Sequence, residues 1–228
     1  MPKLAFYDYK LLKSLNYSVS VSSGLDTISH AFESIWNKFA DPLSISFATQ
    51  SLSLSINSIR DYVQKEKKDL SLKEMQLAII LSALAISRTK TGIAHSISYP
   101  LTSIYNIPHG ITSSFVLPEV LIFNYRRDDG RLINLSRSLS YKNIDELFQE
   151  IIIIRKELLS RLEILNILKN IDIDLISKKL ITPERANLNF VEVDEVNAIK
   201  ILKDAVNRIN ELDNYKVNSY CIYRILLG

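Results

Sequence analysis

An all-α fold is what this 228-residue chain predicts, and three features carry the prediction. Glycine and proline are scarce, at 5 and 6, while hydrophobic residues reach 47% and charged residues 23%, a globular and helix-prone balance. Helix-entry signals recur at Asp41-Pro42, at Ser71-Leu-Lys-Glu74 and at Asn143-Ile-Asp-Glu146. The stretch MQLAIILSALAISRTKTGIAHSIS is apolar on most faces, as a helix at the centre of a bundle must be. The length suffices for one domain with a sizeable core.

In chain order, residues 2–23 form a lead-in. Ser22 or Ser23 can cap a helix over about 25–39, with Gly24 allowing a tight entry and Leu25, Ile28, Phe32 and Ile35 as its apolar stripe. Asp41 and Pro42 stop it and start the next, which extends to about Glu66. Serine-rich SLSLSINS weakens that helix, because serine competes for backbone hydrogen bonds and the alternation hints at a strand. KEKKD at 65–69 reads as a solvated turn. The Ser71–Glu74 capping box opens the apolar helix, which is expected to end before Pro100. A connector, PLTSIYNIPH, leads to a helix over about 111–126, kinked at Pro118. After a turn at Arg126–Gly130, further helices are expected near 131–139, 143–169, 172–180, 183–187, 194–211 and 218–226. No repeat or low-complexity linker interrupts them.

Chemistry concentrates in few residues. The chain has three histidines, His30, His95 and His109. Asp26 and His30 are four apart, so on a helix they share one face. His95 falls late in the apolar helix, and His109 follows Pro108 at the mouth of another. If these helices pack together, one carboxylate and three imidazoles converge, a donor set suited to Fe(II) or Zn(II) rather than to Ca or Mg. Taken singly, each histidine reads as structural, and a D-x-x-x-H pair is an ordinary helix stabiliser.

GLDTISHAFES and TKTGIAHSISYPLTSIYNIPHG resemble the metal-binding half of the iron-containing alcohol dehydrogenases, whose pattern is G-x-D-A-x-x-H-A-x-E followed by H-A-x-x-H-P-L and P-H-G. The resemblance runs from about Leu4 to the C-terminus. It places the family's metal ligands on Asp26, His30, His95 and His109, and it resolves the 42–66 stretch as helix. It also casts residues 1–23 as an interdomain link and 24–228 as the helical metal-binding domain. Architecture of this kind is shared with dehydroquinate synthase and glycerol dehydrogenase.

Further residues acquire roles from the same resemblance. Most of the family has a second histidine where this chain has Tyr99, and SYPLT resembles the branch that reduces phosphonoacetaldehyde to 2-hydroxyethylphosphonate. Tyr99 then becomes a catalytic candidate, able to hydrogen-bond a substrate oxygen, or a core tyrosine packed on the connector. Arg88 and Lys90 are the cations a phosphonate would need, or simply side chains reaching solvent. Glu33 is a candidate to bond the free ring nitrogen of a ligand histidine, or a surface acid.

The implied activity is reduction of an aldehyde or oxidation of an alcohol with NAD(P). The family's Gly-rich G-G-G-S turn, which lets backbone amides approach the cofactor's pyrophosphate, has no counterpart among glycines at 24, 92, 110, 130 and 228. Three readings are therefore open. The chain is the catalytic helical half, working with a separate N-terminal nucleotide-binding chain or as part of a longer product. Otherwise it is a stand-alone metal-binding protein without redox turnover, or a degenerate remnant with a structural role. A homodimer is one assembly open to it.

Composition excludes other classes. A net charge of +3, without a basic stripe, gives no footing for nucleic acid. A single cysteine, Cys221, excludes an internal disulfide framework and fits a packed thiol in a reducing compartment. No apolar run is expected to reach the ~20 residues of a membrane helix, and MPKLAFYDYK has no secretory pattern. A cytoplasmic setting is the expectation.

Overall fold

Asn16 starts the first long helix, accepting a hydrogen bond from the amide of Val19 at 2.9 Å. This α1, Tyr17–Ile35, begins upstream of Ser22 and Ser23, so those serines lie inside the helix rather than capping it. Packing decides the matter, because Val21, Leu25, Ile28, Phe32 and Ile35 are all buried along one stripe. In this computed structural model the described residues are 4–212. The expected helix near 218–226 and Cys221 lie outside them.

The second helix, α2 (Pro42–Tyr62), carries a reciprocal cap. The Ser44 amide donates to Asp41 Oδ1 at 2.7 Å, and the Asp41 amide donates to Ser44 Oγ at 2.9 Å. Its doubtful serines are largely buried and tied off locally or across helices; Ser51 Oγ donates to the Ala78 carbonyl at 2.8 Å. Helix propensity was overridden by tertiary contact.

The apolar helix is not continuous. It is α3, Asp69–Thr89, then a break at Lys90, then α4, Ile93–Tyr105. Lys90 adopts φ +64°, outside the helical region. The expected Ser71–Glu74 capping box does not form: the helix begins at Asp69, Ser71 Oγ donates to the Lys68 carbonyl, and Glu74 accepts from Ser58. By length and apolarity alone α3 could cross a bilayer, contrary to the sequence expectation. Here it packs on α1 and α2 instead.

Helix α4 also runs through Pro100, where the sequence predicted a stop. Ile93, Ala94, Ile97, Pro100 and Leu101 bury one face, and that burial outweighs the lost amide. It ends instead at Asn106, in the left-handed conformation at φ +53°. The expected single helix over 111–126 is two, α5 (His109–Phe115) and α6 (Leu117–Tyr125), with Pro118 in the first turn of α6 where proline is tolerated.

The remainder is smaller pieces: α7 (Arg131–Ser138), α8 (Ile144–Leu159), α9 (Ile164–Lys169), α10 (Ile173–Ile176), α11 (Pro183–Ala186) and α12 (Glu195–Leu212). Asn143 caps α8 as expected, accepting from the Glu146 amide at 2.9 Å. The long helix predicted over 143–169 breaks at 160–163. Among the described residues there is no named strand, and a single bridge, Asn37 with Asn189, ties the end of α1 to the segment before α12. The all-α expectation holds.

Candidate metal centre

Three of these helices meet around one point. Asp26 and His30 stand one turn apart on α1, His95 sits in the first turn of α4, and His109 opens α5. Donor atoms of Asp26, His95 and His109 all lie within 4.8 Å of one another. His30 joins from the side: its ring stacks on that of His95 at 4.7 Å between centroids, and its Nε2 is 3.6 Å from Asp26 Oδ2. The His95 and His109 rings are 5.0 Å apart.

The break at Lys90 is what makes this possible. It ends α3 and lets α4 start afresh with its N-terminal amides aimed at Glu33 of α1. Glu33 Oε2 accepts from the Gly92 amide at 2.8 Å, and Oε1 accepts from the Ala94 amide at 2.6 Å and the His95 amide at 3.2 Å. These are the donors a helix start leaves without internal partners, and a carboxylate there also meets the positive end of the helix dipole. Oε2 further lies 2.5 Å from His95 Nδ1. Glu33 is wholly buried, not a surface acid.

That contact orients the ring. With Nδ1 facing Glu33, Nε2 of His95 points at the cluster, 3.3 Å from Asp26 Oδ1 but without hydrogen-bond geometry. His95 is 1% exposed, so this nitrogen is buried and aimed at the other donors. A carboxylate behind a histidine whose other nitrogen faces a site is the usual support of a metal ligand.

Gly110 sets the spacing between α5 and α1. A Cβ built there would sit 1.9 Å from the Ser22 carbonyl oxygen and 2.7 Å from Asp26 Cβ. Only glycine lets the two backbones approach this closely, which brings His109 beside Asp26. From the next turn of α5, Ser113 Oγ donates to Asp26 Oδ1 at 3.1 Å.

Charge is strongly coupled across the cluster. Burial pushes the Asp26 carboxyl up, but the imidazoles of His95, His30 and His109 outweigh it and hold the group at about 2. Burial works against a charged His95, yet Glu33 and Asp26 raise it to about 9. Glu33 is lowered despite its burial, chiefly by His95 and by the amides it accepts. Burial lowers both His30 and His109, with Asp26 opposing. Both carboxylates thus favour the protonated form of His95. The N/O donor set suits a divalent transition ion such as Fe(II) or Zn(II), which would take the place of the Nε2 proton.

The other candidates fall out differently. Tyr99, 37% exposed, stacks on His109 with centroids 5.7 Å apart and planes 9° from parallel. It borders the cluster rather than packing in the core. Arg88 has a partner on α2: its Nε donates to Asp41 Oδ2 at 2.9 Å, which joins the end of α3 to the cap of α2. Lys90 is exposed at the α3–α4 break, and nothing in its surroundings assigns it to substrate. Sequence reasoning missed Arg185 of α11, whose guanidinium carbon lies 4.9 Å from the centroid of the Tyr99 ring. No local spacing marked it, because it reaches the site only through the fold.

Comparison with known proteins agrees with this geometry. The family model for the C-terminal part of the Fe-containing alcohol dehydrogenase family matches residues 20–206. The NAD-dependent methanol dehydrogenase of Bacillus methanolicus is 29% identical over 142 residues, 60% of this chain and 36% of the relative. The NADPH-dependent butanol dehydrogenase of Clostridium saccharobutylicum is 26% identical over 79% of this chain and 49% of its own length. Among solved structures, an iron-containing alcohol dehydrogenase from Thermococcus thioreducens shares the fold with a TM-score of 0.80 at 20% identity, covering 90% of this chain and 55% of that one. Sulfoacetaldehyde reductase from Bifidobacterium kashiwanohense, in complex with NAD+, gives 0.78 at 24%, covering 87% and 53%. The chain thus spans about half the length, or less, of these relatives. With its family match running through every helix that supplies the cluster, the chain belongs to the Fe-containing alcohol dehydrogenase family.

Proposed function

We propose that this chain is the metal-binding helical half of an NAD(P)-linked alcohol dehydrogenase or aldehyde reductase. The observation that carries the reading is the convergence of Asp26, His95 and His109 around a buried, partnerless imidazole nitrogen, with His30 stacked alongside. Asp26, His30, His95 and His109 would hold the ion, iron(II) first and zinc(II) second. When bound, such an ion supplies Lewis acidity toward the oxygen of an alcohol or aldehyde. Glu33 fixes the tautomer and direction of His95, and Ser113 fixes Asp26. Tyr99, beside His109, would offer its hydroxyl to a substrate oxygen.

Names of the relatives support alcohols and aldehydes as the substrate class, with NAD(P) as hydride carrier. The nicotinamide platform would come from a nucleotide-binding region, either a separate N-terminal chain or part of a longer product. Residues 1–23 would then be the interdomain link, within a soluble, cytoplasmic assembly. The finer substrate is phosphonoacetaldehyde, on the strength of Tyr99 in SYPLT.

Anaerobic loading with iron(II), followed by metal analysis and a titration with NADH and NADPH, tests the reading. A bound ion and weak or absent nucleotide affinity are expected of this chain alone, with aldehyde-dependent NAD(P)H oxidation on adding a nucleotide-binding domain. Bound metal with no turnover under any such supplement would favour the second reading, a stand-alone metal-binding protein. That reading draws on the half-length match alone.

A further inference from the structure

The mouth of the cluster carries a cation that the reaction does not require. From His95 outward the rings form a ladder: His109 at 5.0 Å, Tyr99 stacked on His109 at 5.7 Å, and Arg185 over the Tyr99 ring at 4.9 Å from its centroid. We propose that Arg185 is a specificity-determining residue that binds an anionic group on the substrate. The substrate class is then a short alcohol or aldehyde bearing a carboxylate, sulfonate or phosphonate.

The arginine is held in place by the fold. Ser96, next to His95 and fully buried, donates through Oγ to the Leu180 carbonyl at 2.9 Å and accepts from the Thr182 amide at 2.6 Å. Leu180 and Ala186 are buried on either side, and the Arg185 amide closes a turn onto the Thr182 carbonyl at 2.9 Å. The residue that presents His95 and the segment that presents Arg185 are thereby one packed unit.

Its charge is also available. Among the described residues Arg185 makes no ion pair; its contact is with the Tyr99 ring. Stacking uses the face of a guanidinium and leaves its in-plane N–H donors free for a planar or tetrahedral anion. A divalent ion would be balanced by the buried Glu33 carboxylate and the partly buried Asp26 carboxylate, so the arginine's positive charge is left for a ligand. Arg88, one of the two cations considered from the sequence, is paired with Asp41.

This inference rests on the proposed dehydrogenase site, and its test separates the two. The full chain is loaded with zinc(II), its zinc content measured, and then titrated calorimetrically with 2-hydroxyethylphosphonate, 2-hydroxyethanesulfonate, neutral 1,2-propanediol, ADP and pyrophosphate. The same series is run on Arg185→Gln and Arg185→Lys, in matched metal states. Arg185→Gln should weaken both anionic alcohols about tenfold or more while leaving propanediol within about twofold, and Arg185→Lys should recover part of the loss. Equal affinities of wild type and Arg185→Gln for the anions would overturn the proposal. So would a loss confined to ADP or pyrophosphate, which would assign the arginine to the cofactor's phosphates. Absence of zinc in the wild type would sink the metal reading instead, and the glutamine comparison on the metal-free chain would still decide Arg185.

Discussion

Among the described residues two clusters of buried charge stand out, and they are wired in opposite ways. Around Glu119 of α6, acid meets base: Arg208 of α12 donates to Oε1, and Arg155 of α8 lies 3.8 Å from Oε2 while donating to the Phe115 carbonyl. Around His95, by contrast, two carboxylates and three imidazoles face one another, with no ion pair to an arginine or lysine among the described residues. The first cluster pairs opposite charges in a cross-link among α6, α8 and α12, although Glu119 Oε2 and Arg155 Nη2 make no hydrogen bond there. The second is complete only when a proton or a cation sits between its donors. Buried charge therefore points to a candidate metal site here only where the partners are all potential ligands.

The comparison can be broken most forcefully at Glu119. Glu119→Gln leaves Arg155 buried without its counter-charge, and should cost about 3–5 kcal/mol of stability in chemical denaturation. Metal content per folded chain should be unchanged. Loss of metal from a variant that still folds would show that the two clusters are not independent.

Gly110→Ala attacks the other side. Its Cβ would meet the Ser22 carbonyl, a backbone atom with little room to give, so a cost near 3 kcal/mol is expected, the upper end for overpacking. Unlike Glu119→Gln, it should also abolish metal binding, because α5 and His109 must move away from Asp26. Retained stoichiometry by metal analysis would refute the role given to that close approach.

Smaller again is Glu33→Gln. The neutral side chain keeps one acceptor oxygen but turns an NH2 toward amides that also donate, a cost of about 1–3 kcal/mol. Metal affinity should fall about 10–100-fold through the lost orientation of His95. Competition with a chromogenic chelator reads this directly, and unchanged affinity would leave Glu33 as a helix cap alone.

The mildest expected effect is that of pH on the metal-free chain. His95, raised from 6.5 to about 9, contributes stability that is present below 6.5 and lost as pH climbs toward 9. His30 and His109 are lowered, so they withdraw stability as pH falls below 6.5, and Asp26 withdraws more as pH falls from 3.8 toward about 2. The cluster's contribution should thus peak near 6.5. Stabilisation by zinc should grow from there upward, since the ion displaces the His95 proton. Thermal melts across this range check both, and zinc stabilisation that declines with rising pH would contradict the proton-for-metal exchange.

How much of this was written in the sequence depends on the range of the interaction. Asp26 and His30 were legible because helical spacing is local, and the Asp41 and Asn143 caps because their partners lie three residues on. Glu33 could be named as a partner for a histidine, but its threefold grip on the start of α4 could not. It depends on a helix break at Lys90 that no proline marks, with only Gly92, the N-cap of α4, as a local signal. Pro100 misled, since local preference predicted a stop that the buried face of α4 overrides. Arg185 was invisible for the plainest reason: its link to the site runs through Ser96 and the packing of α11, not through any pattern in the chain.

Metal stoichiometry after anaerobic iron(II) loading, compared between the wild type and His95→Ala, His109→Ala and Asp26→Asn, tests the central claim most directly. The convergent site predicts one ion per chain in the wild type and its loss in each variant, with the helical circular dichroism retained. Equal metal content in all four proteins, or none in any, would contradict it.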